Sequence, residues 1–344
     1  MGGLGIPIFA EIADREFQNS VRLTERLSGN IRQQNRQYNM EHEQQARIKN
    51  KMKSEKRKME KETLEHIKDQ LSSTQVKLVE LNNEKGASIY LSTLPLKDEG
   101  YLLPKNIFWD LVRLRYDWPL ARLPERCGCG SKFDIQHAFS CKKGGFVSLR
   151  HNHLRNVTSS LLQEVCKDVS IEPTLQPLTG ERFETESTIT GDEARVDIKA
   201  RGFWQAGQLA FFDVRVFNPI ANRYANQGLS KMYETNEKEK KRTYNERILQ
   251  IEHGRFTPLV FSATGGMGRE AMKFYSRLAE MIAEKRRTDY SKVITWIRRK
   301  VCFSLINSLG LCLRGSRSIT NNELVNSVTA DNVTSEMLSP IHEE

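Results

Sequence analysis

Three cysteines and one histidine lie within 15 residues of one another, with the spacing Cys-x-Cys-x7-His-x3-Cys. They are Cys127, Cys129, His137 and Cys141. Thiolate sulfur and imidazole nitrogen are the donors that tetrahedral Zn²⁺ prefers. The His-x3-Cys pair fits one helical turn, since residues i and i+4 share a helix face. Because four protein ligands fill a tetrahedral site, the pattern predicts a structural zinc ion; three reduced cysteines clustered by coincidence are the alternative.

Two aspartates lie in segments whose alternation of polar and apolar residues predicts β-strands. Asp197 lies in the first, and Asp213 lies inside the apolar run 209–217. If the turn between the strands centres on Gln205, antiparallel pairing places the two aspartates directly opposite each other. Opposed carboxylates repel, and an acid in an apolar strand costs free energy unless it has a cationic partner. The sequence therefore predicts a cation at this point of the sheet.

Two kinds of cation satisfy that need. A hard divalent ion such as Mg²⁺ takes carboxylate, water and phosphate oxygens. Such an ion neutralises a scissile phosphate and activates water, while a nearby Lys or Arg stabilises the developing charge. A salt-bridged hairpin, in which Arg195 and Arg215 neutralise the aspartates, explains the same residues. The pattern by itself favours neither interpretation.

The elements that must position these residues follow from the chain between residues 150 and 285. Apolar spacing and glycines predict the order helix, strand, strand, helix, strand, helix. The predicted ranges are 154–165, 194–200, 209–217, 229–250, 256–263 and 269–285. This order indicates a mixed α/β domain. The glycines at 265, 266 and 268 follow the last strand, where they predict a tight turn or a cradle for a phosphate.

The two ends of the chain have a different character. Residues 11–84 contain no proline and a single glycine, and their dense alternating charge predicts helix. The basic stretch 49–58 is consistent with a solvated helix, a loosely paired coiled coil, or an arm along a phosphate backbone. The segment from residue 321 is polar without hydrophobic periodicity, and we expect it to be disordered.

The composition of the chain narrows the classes of protein to which it could belong. The net charge is +10 and the isoelectric point is about 9.3, which favours polyanionic partners. No apolar stretch is long enough to span a bilayer, and the first residues do not resemble a signal peptide. Six cysteines, three of them in the metal-like cluster, indicate a reducing compartment. We therefore expect an intracellular protein with no membrane partner.

The order of these motifs resembles the C-terminal part of non-LTR retrotransposon proteins that carry a restriction-like endonuclease. The resemblance covers roughly residues 120–250. It rests on the Cys/His cluster followed by Arg150, His151, Asn152, Asp197 and the run Phe212-Asp213-Val214-Arg215-Val216. It implies a PD-(D/E)XK nuclease-like core, a small mixed sheet flanked by helices, preceded by a zinc knuckle and a long helical N-terminal region. Residues 2–7 resemble the end of a reverse-transcriptase thumb, but no polymerase palm is present.

The resemblance also implies roles for individual residues. Asp197 takes the position of the Pro-Asp motif, although Val196 replaces the proline, and Asp213 is the second acid. Arg215 stands where lysine is usual, so the lysine is expected from the following helix, at Lys240. Glu172 is the candidate third acid, with Glu164 as a competitor. The expected nucleic-acid contacts are Arg150, His151, Asn152 and Tyr244.

Together these inferences predict a Mg²⁺-dependent DNA endonuclease module of a retroelement-derived protein, with zinc in a structural role. The alternative is a catalytically inactive zinc-knuckle protein that binds nucleic acid. The expected segments are a helical region at 1–90, a helix and knuckle at 91–150, the nuclease domain at 151–320 and a tail at 321–344. DNA or RNA is the expected partner, the N-terminal helices are expected to self-associate, and the expected location is the nucleus.

Overall fold

The computed structural model of the protein describes residues 9–34, 42–175 and 195–317. The thumb-like residues 2–7 and the predicted tail at 321–344 lie outside the described residues. The chain divides into two compact units, residues 1–79 and 80–344. Among the described residues, no helix is long and apolar enough to cross a membrane.

The N-terminal unit is helical, as its composition predicts. It contains α1 (Phe9–Arg32) and α2 (His42–Asp69), and α3 (Ser73–Asn82) begins in it. Arg22 lies near Glu55 and Arg15 near Met59, so α1 and α2 run antiparallel to each other. The helix predicted over 11–84 is divided: α1 ends at Arg32, and a further break follows Asp69, where Ser72 and Gln75 form a reciprocal capping box that starts α3.

The second unit contains four strands and the remaining helices of the described chain. In chain order they are α4 (Lys105–Arg115), α5 (Ile135–Ser140), α6 (Phe146–Gln163), β1 (Lys167–Ile171), β2 (Ile198–Arg201), β3 (Leu209–Phe217), α7 (Leu229–Gln250), β4 (Arg255–Ser262), α8 (Arg269–Arg286) and α9 (Tyr290–Arg314). The sheet order is β1-β2-β3-β4, and only the β3–β4 pair is parallel. The predicted mixed α/β class, with a small mixed sheet and helices around it, is confirmed.

Helices cover both faces of the sheet. On one face Phe212 and Val214 of β3 pack in a large core with Phe274 of α8 and Ile297 of α9. On the other face Phe211 packs with residues that include Ile248 of α7. Because β3 is covered on both sides, its sequence is a nearly continuous apolar run rather than an alternating one. An acid within this strand therefore has to lie in the interior.

Helix α9 joins the knuckle segment to the rest of the unit. Its residues Phe303, Ile306 and Leu309 share one core cluster with α4 and with Cys127 and Cys141 of the knuckle. Arg314 forms a buried bidentate ion pair with Asp110 of α4, at 2.6 and 2.7 Å. Helix α9 therefore packs both with the segment expected at 91–150 and with the sheet of the domain expected at 151–320.

Candidate functional site

The four predicted zinc ligands come together in space. Their donor atoms all lie within 4.8 Å of one another. The Sγ atom of Cys141 is 3.7 Å from that of Cys127 and 3.9 Å from that of Cys129, and Cys129 Sγ is 3.3 Å from His137 Nε2. Zinc–sulfur bonds of 2.3 Å give a tetrahedron with sulfur–sulfur edges of about 3.8 Å. This Cys₃His cluster could hold a metal ion such as zinc.

Local turns explain how so short a segment gathers these donors. The backbone N–H of Cys127 donates to the Ser131 carbonyl, and that of Gly130 donates to the Cys127 carbonyl, which forms a tight loop. Asp134 caps α5 by accepting from the His137 backbone N–H at 2.7 Å, which places the histidine and Cys141 one turn apart. The unusually short Cys-x-Cys spacing has glycine in its middle because a Cβ at 128 would collide with the Arg317 carbonyl.

The thiols of the cluster differ in acidity. Hydrogen bonds from the backbone and hydroxyl of Ser131 lower the pKa of Cys129 to about 6, so this ligand is a thiolate at neutral pH. Burial raises the pKa of Cys141. A metal ion deprotonates a coordinating thiol, so zinc would supply the charge that keeps Cys141 ionised.

Arg150 has a structural place rather than the predicted nucleic-acid contact. Its side chain is 2% exposed, and its Nη2 donates to the Phe139 carbonyl beside the knuckle. Burial lowers the pKa of its guanidinium. Arg317, also buried, lies over the Phe133 and Phe146 rings and donates to the Ala138 carbonyl. The expectation that Arg150 contacts nucleic acid is corrected, because its side chain does not reach the surface.

The strand register predicted around Gln205 is confirmed. Ile198 pairs with Phe212 and Ala200 with Ala210, so the next position along β2 places Asp197 opposite Asp213. On the other side of Asp197, the Glu172 backbone N–H donates to the Asp197 carbonyl at 2.9 Å. Three acidic residues therefore lie side by side where β1, β2 and β3 meet.

Asp213 is the buried member of this group, at 3% exposure. Lys240 Nζ lies 2.7 Å from its Oδ2, and the Asp213 carboxylate is close enough to Tyr244 to shift the pKa of that phenol. Burial and the charge of Asp197 raise the pKa of Asp213 to about 6, against the opposing effect of Lys240. Burial and the Asp213 charge raise the pKa of Tyr244 to about 12, so the phenol stays protonated. Helical spacing correctly placed Lys240 on the half-buried stripe of α7.

Asp197 has partners on two sides. Its Oδ2 accepts a hydrogen bond from the Val214 backbone N–H at 2.6 Å, and its Oδ1 lies 2.8 Å from His151 Nε2. His151 belongs to α6, which starts eight residues earlier than the sequence predicts, at Phe146. This earlier start is what places His151 over the acids.

Three other predicted site residues, Arg215, Glu172 and Glu164, form ion pairs with residues other than Asp213. Arg215 pairs with Glu239 at 2.9 Å, whereas the cation paired with Asp213 is Lys240. Glu172 forms an ion pair with Arg155, a partner that no local sequence pattern indicates. Glu164 pairs with Arg286 of α8, which argues against it as the third acid. Asn152 is half-buried on α6, beside His151.

Two carboxylates of the chain itself lie at the glycine loop that follows β4. Cβ atoms on Gly266 and Gly268 would collide with the carboxylates of Glu84 and Glu237. Glu237 accepts from the Glu270 backbone N–H at 3.0 Å, and Ser262 donates to Glu84 at 3.4 Å. The loop is a tight turn, and these two side chains of the chain itself occupy the space where a phosphate was the alternative expectation.

Glu84 is expected to make stability depend on pH. Burial raises its pKa from 4.5 to about 7, so the native state favours the protonated acid. The stabilisation of the native state that Glu84 contributes is fully present below pH 4.5 and is lost as pH rises through about 7. Glu84→Gln should therefore raise the free energy of unfolding by about 2 kcal/mol more at pH 8 than at pH 5, as measured by urea titration. An equal effect at both pH values, or the same pattern in the exposed Glu280→Gln control, would contradict this assignment.

The fold and the clustered residues define a mixed α/β protein with a Cys₃His cluster that could hold a metal ion and a buried, lysine-paired acidic site. No protein-family model matches the chain, and no curated protein matches its sequence.

Proposed function

We propose that this chain is a Mg²⁺-dependent DNA endonuclease module of a retroelement-derived protein, with a PD-(D/E)XK-like core and a structural zinc ion. The observation that carries the proposal is the approach of Lys240 Nζ to within 2.7 Å of the Asp213 carboxylate, with Asp197 opposite in the strand register. Two adjacent acids and one lysine, contributed by two strands and a helix, are the groups that metal-dependent phosphodiester hydrolysis requires.

The acidic site has the chemistry that a hard cation needs. Asp213 is buried beside the Asp197 charge, and its pKa is raised to about 6 even with Lys240 in contact. Carboxylate oxygens of Asp197 and Asp213 would hold Mg²⁺, which would supply charge neutralisation of the phosphate and an acidified water. Lys240 would orient that water through its amine, and His151 would fix the Asp197 carboxylate through the 2.8 Å contact.

A second candidate is a nucleic-acid-binding protein without catalysis. Two contacts favour it. Lys240 already provides Asp213 with a countercharge, and Arg215, at the position where lysine is usual, pairs with Glu239. A protein of this kind would bind DNA through its basic surface, with an affinity that falls steeply as salt rises.

Cleavage of supercoiled plasmid separates the two candidates. We expect the wild-type chain to nick plasmid in Mg²⁺, and Asp213→Asn to be slower by about 10²-fold or more, because the variant removes a charged ligand. Asp168→Asn, the same change on the exposed side of β1, should cleave like the wild type. No cleavage by the wild type, or equal cleavage by Asp213→Asn, would exclude the enzyme and leave the binding protein.

A further inference from the structure

One face of α4 alternates cations and aromatic rings. Lys105, Trp109, Arg113 and Tyr116 are spaced by four, four and three residues, so they share one side of the helix. The opposite side is buried against α9. Trp109 is 48% exposed, which is unusual for so large an aromatic side chain.

The end of α4 adds a second exposed tryptophan to this face. Asp117 takes a left-handed conformation, with φ of 56°, and the Trp118 backbone N–H donates to the Arg113 carbonyl at 2.8 Å. This is the Schellman arrangement that terminates helices, with aspartate where glycine is common. It turns the chain so that Trp118 stacks on Tyr116, with ring centroids 5.1 Å apart and planes at 30°. Trp118 remains 52% exposed.

We infer that this face of α4, formed by Lys105, Trp109, Arg113, Tyr116 and Trp118, binds single-stranded nucleic acid. Every base has a flat face that stacks on an aromatic ring, and lysine and arginine between the rings match the phosphates that link successive bases. The net charge of +10 supports an anionic partner over an apolar protein surface. A duplex keeps its base faces stacked inside and so cannot use the rings.

The inference does not depend on catalysis. The five residues lie on α4 and the turn after it, whereas Asp197 and Asp213 belong to the sheet. Binding at this face therefore needs no Mg²⁺. The face also explains the two exposed tryptophans on this segment, for which the acidic site has no use.

Fluorescence measurements on the 344-residue chain, loaded with zinc and without added Mg²⁺, test this inference. The probe is a 20-nucleotide oligothymidylate, with a duplex of equal length for comparison. We expect the single strand to quench tryptophan fluorescence on binding, and Trp118→Ala to weaken its affinity by about 5-fold or more. Arg113→Gln should lower the slope of log affinity against log salt by about 0.7, the value for one phosphate on a single strand.

Two controls keep the result interpretable. Tyr290→Ala removes an aromatic ring of 41% exposure that lies outside this face and should bind like the wild type. Trp118→Phe keeps an aromatic ring and should retain most of the affinity. A folding defect in Trp118→Ala or Trp118→Phe would show as a lowered temperature of thermal unfolding. Absence of oligothymidylate binding, or equal affinities for Trp118→Ala and Tyr290→Ala, would overturn the inference. The inference would also be overturned if the duplex bound more tightly than the single strand and Trp118→Ala weakened the binding of both to the same extent.

Discussion

Removal of the metal from the Cys₃His cluster is expected to have the largest effect on stability. The purified chain should contain about one zinc ion, and Cys129→Ser combined with His137→Ala should lose it. Structural zinc contributes about 10–16 kcal/mol in isolated zinc-finger peptides, where little else holds the fold. Here the knuckle also packs against α9, so we expect a smaller loss, on the order of 5 kcal/mol in the free energy of unfolding.

Metal analysis and urea unfolding, with and without a chelator, measure both parts of this prediction. Cys166→Ser is the matched control, because Cys166 lies outside the cluster, in the turn between α6 and β1, and its loss should leave the zinc content unchanged. Zinc retained by the double variant would show that the metal is bound elsewhere. If the wild-type chain contains no zinc, or if the chelator leaves its free energy of unfolding unchanged, the structural role of zinc would be contradicted.

Apart from substitutions of the two aspartates, substitution of Lys240 should slow the proposed DNA cleavage the most. We expect Lys240→Met to slow single-turnover cleavage by about 10²- to 10⁴-fold, the usual contribution of a positioned proton-transfer or water-orienting group. The basis is the 2.7 Å contact between its amine and Asp213 on a half-buried stripe of α7. Because Asp213 is buried, loss of this amine should also raise the pKa of the acid further.

Lys238→Met provides the comparison for this variant. Lys238 lies two residues away on the same helix, is exposed and pairs with Glu234 at 2.7 Å. The Lys238→Met variant should cleave at the wild-type rate. Both variants should bind DNA with an affinity within a few fold of that of the wild type. Equal rates for the two variants would remove Lys240 from the site, and a loss of DNA binding in both would indicate a general charge effect.

Local pattern predicted part of this arrangement. Alternation and a turn at Gln205 predicted the register that opposes Asp197 and Asp213, and i+4 spacing predicted the half-buried stripe that carries Lys240. Clustered cysteines predicted the Cys₃His geometry. These features depend on residues near one another in sequence or on the fixed periods of helix and strand.

Long-range packing was not predictable in the same way. β1 was missed because Lys167-Asp168-Val169-Ser170-Ile171 is short and mostly polar, and its register is irregular at the sheet edge. The carboxylate of Glu84 at the glycine loop joins segments 178 residues apart, as its bond with Ser262 shows. Arg150 was expected at the surface because arginine usually is, and only the packing of α6 against the knuckle buries it. Each of these depends on tertiary contacts that carry no local signal.

We propose that Asp197 and Asp213 together form a site for a divalent cation. Anomalous diffraction from crystals of the chain grown in Mn²⁺, a scatterer that replaces Mg²⁺ at oxygen sites, tests it most directly. We predict an anomalous peak between the two carboxylates, distinct from zinc in the knuckle and absent from Asp213→Asn crystals. A map in which the knuckle holds its metal but the two aspartates hold none, with Lys240 still bound to Asp213, would contradict it.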